Sequence, residues 1–204
     1  MILAKPAPFV SAFIDAVDEA IRQEHPHHGM SAIQRTWLAF CVTATLITHS
    51  ICWARFQRAS LGAYSMAALS WMFRHSKIPW DHLLVASTRV ILRYHGICSG
   101  SLVIDDTDHA RSKSAHKLAY LYKLRHKESG GYVWGQSLLF LLLVTPKISI
   151  PMGFVFYQPD PELSAWYRQE KALKKQQVPK AQRPPKPVPH PHYPTKQQLA
   201  LGLG

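Results

Sequence analysis

The stretch GSLVIDDTDHARSKSAH (residues 100–116) decides how the second half of the chain folds. Its apolar start, SLVID, is short, β-rich and preceded by glycine, which predicts a buried β-strand. Asp105, Asp106 and Asp108 then follow close together. Crowded carboxylates repel one another and are costly to bury. A compensating cation, or an exit of the chain into solvent, is therefore expected at the end of this strand.

Hydrophobic periodicity predicts helices before this stretch. They are expected over residues 11–24, 32–53, 62–76 and 80–96. Ser31 is placed to cap the second helix, and Gly96 is a natural stop for the last. Residues 60–79 (SLGAYSMAALSWMFRHSKIP) are open to two interpretations, a helix-turn-helix or ordinary core packing. Residues 1–99 are therefore expected to form a helical region.

Strands are predicted after the stretch, near residues 134–145 and 148–157, and their apolar density suggests burial on both faces. A helix is predicted near 161–176, with Asp160 as its cap. Together with residues 102–106, these elements would form one partial domain over residues 100–176. The fold class expected from this order is α+β.

The chain from residue 177 to 204 is predicted to be a basic arm rich in proline and lysine. Seven prolines lie in it, and no acid follows Glu170. Such a composition favours an extended arm or linker over a folded element. The terminal QLALGLG resembles only the opening turn of an amphipathic helix.

The charge of the chain points to a polyanionic partner. Twenty-four Lys and Arg face twelve Asp and Glu, which gives a net charge of +12. The balance is +2 up to Asp106 and +10 from Thr107 onwards. This asymmetry favours a nucleic acid over an anionic membrane surface.

Two interpretations of the three aspartates follow from the residues themselves. Carboxylates at the end of a central strand would suit Mg²⁺ or Mn²⁺, which prefer oxygen ligands and would relieve the repulsion. The alternative is a solvated turn in which Thr107 or Asp108 caps the backbone.

The motifs LVIDDTDHARSKSAHK, GYVWGQSLLFLLLVTPK, PMGFVFYQPDP and RPPKP…YPTKQQLALGL resemble the DDE transposases of bacterial insertion sequences, from about Arg55 to the end. The resemblance implies a helical, DNA-binding region over residues 1–99. Residues 100–176 would then form the first half of an RNase H-like catalytic domain, namely strands 1–3 and the first helix. It implies Asp106, with Asp105 as the alternative, as a catalytic ligand of Mg²⁺ or Mn²⁺. Double-stranded DNA, as transposon ends, would be the partner. The residues expected to contact its phosphates are Arg111, Lys113, Lys117, Lys123, Arg125 and Lys127.

The chain departs from this family in its remaining acids. The family requires a second Asp on a later strand and a Glu on a later helix. None of the acids after Asp106 matches those positions: Asp108, Glu128, Asp160, Glu162 and Glu170. We therefore expect a truncated transposase that is inactive alone. The alternatives are a non-catalytic DNA-binding regulator of transposition, or the upstream product of a frameshifted transposase gene. A second copy of the chain and a full-length transposase are both candidate protein partners.

The compartment expected from the sequence is the cytoplasm, in association with the nucleoid. Cys41, Cys52 and Cys98 are widely spaced and suggest neither a disulfide framework nor a zinc site. Residues 37–53 are apolar enough to require a membrane check, but their hydroxyl groups favour a buried helix. No membrane partner is expected.

Overall fold

The computed structural model describes residues 5–111, 115, 118–125 and 130–203. The chain divides into two compact units, Met1–Cys98 and Ser99–Gly204. The described part of the first unit is helical, and that of the second combines an antiparallel sheet with helices. The predicted α+β class is confirmed at this level.

Five helices form the described part of the first unit: α1 (Pro8–Glu24), α2 (Ala32–Thr48), α3 (Trp53–Ala59), α4 (Met66–His75) and α5 (Trp80–His95). Ser31 caps α2 as predicted, because its side chain accepts the backbone N–H of Gln34 and the Gln34 side chain accepts that of Ser31. Gly96 ends α5 at φ 60°, which glycine adopts without strain. The helix predicted over 32–53 is wrong in its extent, since the chain turns at His49 (φ 48°) and α3 begins at Trp53.

The core of the first unit is aromatic. Phe40 and Phe56 are fully buried, and their ring centroids lie 6.3 Å apart. The Tyr64 ring stacks on Phe40 at 3.9 Å. From α4, Leu69 is buried while Met66 remains half exposed. Leu69 therefore packs in the core, where the core-packing interpretation of residues 60–79 places it.

A buried carboxylate joins α1 to the start of α2. Asp18 is only 4% exposed and accepts the backbone N–H of the fully buried Met30. Its other oxygen accepts from Arg22 at 2.9 Å and from Arg35 at 3.0 Å. Two guanidinium groups and a backbone donor therefore offset the cost of burying this charge.

The second unit is built on four described strands: β1 (Ser101–Ala110), β2 (Tyr122–Arg125), β3 (Tyr132–Val144) and β4 (Ser149–Tyr157). All pairings are antiparallel and all involve β3. β1 pairs along one edge of β3, while β4 and β2 pair in line along its other edge. Strands were expected at β1, β3 and β4, whereas β2 was not predicted.

The predicted burial of the first strand is wrong. All ten residues of β1 are exposed, and Leu102, Val103 and Ile104 are 61%, 41% and 45% exposed. The reason is position, since β1 is an edge strand whose far edge has no strand partner among the described residues. The three aspartates therefore lie in a solvated environment, but on the strand itself and not in the turn that the second interpretation proposed.

Helix α6 (Pro161–Lys175), a short 3₁₀ turn (Lys180–Gln182) and α7 (Lys196–Leu201) complete the described chain. Asp160 caps α6 as predicted, since its Oδ1 accepts the N–H groups of Glu162 and Leu163. The expectation that residues 177–204 contain no folded element is corrected by the 3₁₀ turn and by α7.

None of the described helices is, by itself, both long enough and apolar enough to span a bilayer. Only α2 and α3 taken together satisfy length and composition, and the pair is bent by 87°.

Candidate functional site

Asp106 projects from the edge strand onto a defined face of the sheet. It lies opposite Leu139 of β3, and Asp108 lies opposite Ser137. Ser137 in turn pairs with Tyr157 of β4 on the other side of β3. Antiparallel partners project to the same face of a sheet. These five side chains therefore share one face, with the two carboxylates at its β1 edge.

Lys196 is a cation close to the aspartates, which is one of the two solutions that the sequence left open. Its ammonium group forms an ion pair with Asp106 Oδ2. The same Nζ lies 5.4 Å from the centroid of the Tyr157 ring, within the range of a cation–π contact. The side chains of Asp106 and Lys196 are 51% and 35% exposed, so water screens this pair.

A capped helix brings Lys196 to this face. Thr195 accepts the backbone N–H of Gln198, and the Gln198 side chain accepts the N–H of Thr195, which forms a capping box at the start of α7. The helix contacts β3 and β4. A Cβ added at Gly153 of β4 would lie 3.5 Å from Leu203, directly after α7. The packing of α7 against β3 and β4, and not the ion pair alone, therefore determines the position of Lys196.

A second tyrosine contributes to the same face. Tyr122 of β2 lies with its ring centroid 6.0 Å from that of Tyr157. Burial raises the pKa of Tyr122 to about 12, and the negative charge of Asp108 adds to the rise. The Tyr122 hydroxyl therefore stays protonated at physiological pH and can donate a hydrogen bond.

Asp105, the alternative to Asp106, projects from the opposite face of β1, since neighbouring residues of a strand alternate. It lies opposite Phe140. Its Oδ1 accepts the backbone N–H of Asp106 at 2.8 Å. Of the two aspartates, the structure therefore brings Asp106 to the face with Lys196 and the tyrosines.

Mg²⁺ or Mn²⁺, which the resemblance implies, does not fit this arrangement. Each ion of a two-metal centre requires several oxygen ligands. Within the described ranges, no group of three His, Cys, Asp or Glu side chains is placed to hold a metal ion. The carboxylate of Asp106 is in addition engaged by the Lys196 ammonium. We therefore derive no metal-dependent reaction step from the described residues.

The other acids considered from the sequence do not join Asp106. Asp108 shares its face but lies two positions away on the same strand. Asp160 caps α6, and Glu170 forms an ion pair with Arg183 at 3.0 Å. Glu128 lies outside the described residues.

Three of the six basic residues expected to contact phosphate are described: Arg111, Lys123 and Arg125. The other three, Lys113, Lys117 and Lys127, lie outside the described residues. Lys123 and Arg125 pair with Trp134 and Tyr132 of β3. By the alternation of β3, they project to the face opposite that of Asp106.

Arg111 is held on the same side as Lys123. Its backbone N–H donates to the carbonyl of Trp134 at 2.7 Å, and its Nε donates to Gln136 Oε1 at 2.9 Å. The Lys123 ammonium lies 5.8 Å from the Trp134 ring centroid. The sheet therefore separates the described cations of this run from the Asp106 carboxylate.

Three histidines, His25, His28 and His82, cluster in the first unit. His25 stacks on His82 with ring centroids 4.1 Å apart, and His28 lies 4.9 Å from His82. His82 comes from the first turn of α5, far away in sequence, so spacing alone did not connect it.

Lys196 is the residue of the Asp106 face that sequence reasoning missed. The Thr195–Gln198 capping box was a readable signal for a helix start. Its contact with Asp106, 90 residues away, had no local signal. Lys196 reaches Asp106 because the arm folds back towards the sheet, and composition alone did not indicate this path.

Comparison of the chain with family models, with curated proteins and with solved structures gave no match.

Proposed function

We propose that this chain binds duplex DNA as a protein of the DDE transposase type and does not cleave DNA by itself. The observation that carries the proposal is the placement of Asp106 on the first strand of an antiparallel β1–β3–β4 arrangement that α6 follows. This order supports the first half of an RNase H-like domain, as the resemblance of the sequence implies.

The charge of the second unit supports a DNA partner. The chain carries +10 of its net charge of +12 after Asp106. Neutralising phosphates with Lys and Arg releases condensed counterions, which drives binding to DNA without requiring sequence recognition. Among the residues of the run, Lys123 and Arg125 have exposed side chains on β2.

The ion pair of Asp106 supports a role without cleavage. The carboxylate of Asp106 is engaged by an ammonium group, and within the described residues no group of three His, Cys, Asp or Glu side chains is placed to hold a metal ion. A regulatory role follows, in which the chain competes with a full-length transposase for DNA or pairs with it. If a partner polypeptide supplied the missing acids, Lys196 would have to leave Asp106.

The test of binding is fluorescence anisotropy with a labelled mixed-sequence duplex of about 30 base pairs, in salt from about 50 to 200 mM. We expect affinity to fall steeply with salt. Replacing Lys113, Lys117 and Lys127 with Gln should weaken it, whereas Asp106→Asn should leave it nearly unchanged. Absence of binding, or an affinity independent of salt, would overturn the proposal.

The test of cleavage uses the same duplex and a supercoiled plasmid with Mg²⁺ or Mn²⁺. We expect no strand cleavage from the purified chain or from Lys196→Gln. Cleavage that disappears in Asp106→Asn would contradict the non-catalytic role and would favour an active enzyme.

A further inference from the structure

Helix α6 and the arm that follows it form a hairpin. The arm leaves the C-terminal end of α6 with the Val178 N–H donating to the Leu173 carbonyl at 3.1 Å. It reaches the N-terminal end of α6 where the His190 N–H donates to Asp160 Oδ2 at 3.0 Å. The arm therefore runs antiparallel to the helix over its whole length.

Two side-chain contacts hold the middle of the arm. The indole N–H of Trp166 donates to the Pro184 carbonyl at 3.0 Å. Arg183 donates from Nη1 to Glu170 at 3.0 Å and from Nε to the Val178 carbonyl at 2.8 Å. The seven prolines of residues 177–204 restrict the unbound chain to extended conformations, so ordering it along the helix costs less entropy.

The charges of this hairpin are segregated. Residues 158–204 contain eight Lys and Arg and only three acids. Of these acids, Asp160 accepts three backbone N–H groups, and Glu170 pairs with Arg183 and Lys174. The acids that offset the positive charge are therefore largely engaged within the hairpin itself.

Three cations of α6 lie on the side of the helix that faces away from the arm. At 3.6 residues per turn, Trp166 and Glu170 face the arm, and Arg168, Lys171 and Lys175 lie on the opposite side. The burial of α6 agrees, since all three of these cations are exposed. Along the axis they extend over about 10 Å.

The arm contributes one more cation, Lys186, next to this side of α6. The Lys186 ammonium lies 5.6 Å from the centroid of the Tyr167 ring. By helical position, Tyr167 lies between the arm and Lys171. We call Arg168, Lys171, Lys175 and Lys186 the hairpin cations.

We propose that the hairpin cations form a preformed surface that binds the phosphate backbone of duplex DNA. This inference rests on the proposed DNA-binding function and adds a second contact region, separate in sequence from the run between Arg111 and Lys127. Because the arm is already ordered, the surface loses little conformational freedom on binding.

The chemistry favours a duplex backbone over single-stranded nucleic acid. Single strands are held by aromatic platforms on which bases stack. Trp166 is turned towards the arm by its hydrogen bond to Pro184, and the Tyr167 ring lies under the Lys186 ammonium. The side of α6 that carries Arg168, Lys171 and Lys175 therefore offers cations without a stacking platform.

The test compares two triple variants of the full chain. Arg168, Lys171 and Lys175 are replaced by Gln in the first. In the matched control, three exposed lysines of the second unit outside this set, Lys147, Lys174 and Lys180, are replaced by Gln. Anisotropy with the labelled duplex is measured across the salt series, and circular dichroism checks that helix content is kept.

We expect the hairpin variant to bind at least about tenfold more weakly at 0.1 M salt, with a slope of log affinity against log salt smaller by up to about 3. The control should change much less. Equal losses in the two variants would overturn the inference, because they would indicate a nonspecific effect of net charge.

Failure of this inference differs from failure of the proposed function. If the wild-type chain does not bind the duplex, the proposed function fails. If it binds, and only replacement of Lys113, Lys117 and Lys127 weakens binding, the inference alone fails. Binding of vesicles with about 30% anionic lipid that depends on the hairpin cations, without duplex binding that depends on them, would also overturn it.

The role of the ordered arm has its own test. Trp166→Phe removes the hydrogen bond to Pro184 without changing any charge. We expect this variant to bind the duplex a few-fold more weakly, because the arm must then be ordered on binding. An unchanged affinity would contradict the contribution of a preformed arm.

Discussion

Lys196 and Asp106 lie 90 residues apart in the chain and form an ion pair across one face of the sheet. The pair links α7, near the end of the described chain, to β1, the strand that begins the second unit. It places a fixed positive charge on the carboxylate that the resemblance marks as catalytic. The Tyr157 ring lies against the same ammonium group.

A double-mutant cycle tests this pair. Lys196→Met, Asp106→Asn and the double variant are compared in urea unfolding of the second unit. Because both side chains are partly exposed, we expect a coupling free energy of only about 0.2–1 kcal/mol. Lys147→Met, on an exposed turn, is the control and should show no coupling to Asp106→Asn. A coupling indistinguishable from that control would mean that the pair does not persist in solution.

Removal of the buried Asp18 carboxylate should destabilise the first unit. In Asp18→Ala, the Met30 N–H loses its acceptor inside the protein, and Arg22 and Arg35 lose their shared partner. We expect a loss of about 2–4 kcal/mol in the free energy of unfolding, measured by urea denaturation. The exposed neighbour Glu19→Gln should change it by less than about 0.5 kcal/mol. Similar losses in both variants would contradict the central role of Asp18.

The hairpin of α6 and the arm should loosen in acid. Hydrogen bonding from the His190 N–H is the main cause that lowers the pKa of Asp160. At Glu170, burial acts to raise the pKa, but hydrogen bonding and charge from Arg183 outweigh it, so the pKa is lowered. A carboxyl group whose pKa is lowered on folding stabilises the fold above its unfolded pKa, near 4, and loses this contribution as pH falls.

The measurement for this acid transition is the NMR signal of the Trp166 indole N–H between neutral and acidic pH. We expect its exchange with solvent to increase as pH falls below about 4. In the Asp160→Asn, Glu170→Gln double variant, exchange should already be faster at neutral pH and should vary less with pH. A signal that is equally protected at both ends of the range would show that these carboxylates do not hold the arm.

The cysteines of the first unit should differ in reactivity. Burial raises the pKa of Cys41 to about 12. Backbone N–H groups of Arg55 and Ala54, at the start of α3, lower the pKa of Cys52. The thiolate is the reactive form. Iodoacetamide at neutral pH, followed by mass spectrometry, should therefore modify Cys52 well before Cys41; the reverse order would contradict this assignment.

Local signals predicted the starts and ends of several elements. Ser31, Asp160 and Gly96 act through side-chain or backbone geometry within one helical turn, so their roles are visible in the sequence. The break between α2 and α3 was missed because residues 32–53 are largely apolar and contain neither Gly nor Pro. The turn at His49 adopts φ 48°, which a sequence pattern does not reveal.

The environment of the candidate site was less accessible to prediction. The composition of SLVID correctly indicates a strand, but its burial depends on which neighbours cover it, and β1 has one strand neighbour in the described structure. Charge repulsion left two solutions open, a cation near Asp106 or an exposed position for the aspartates, and the structure has both. That this cation is Lys196 depends on the path of the arm, which is determined by distant contacts such as that between His190 and Asp160.

The far edge of β1 also affects how copies of the chain behave at high concentration. An exposed strand edge is a template for stacking identical chains into fibrils. Two copies meeting antiparallel about the middle of β1 would bring Asp105 of one opposite Asp106 of the other, and like charges placed opposite each other destabilise such a ladder. The acidic centre of β1 therefore disfavours this pairing of two copies, whatever its part in binding or catalysis.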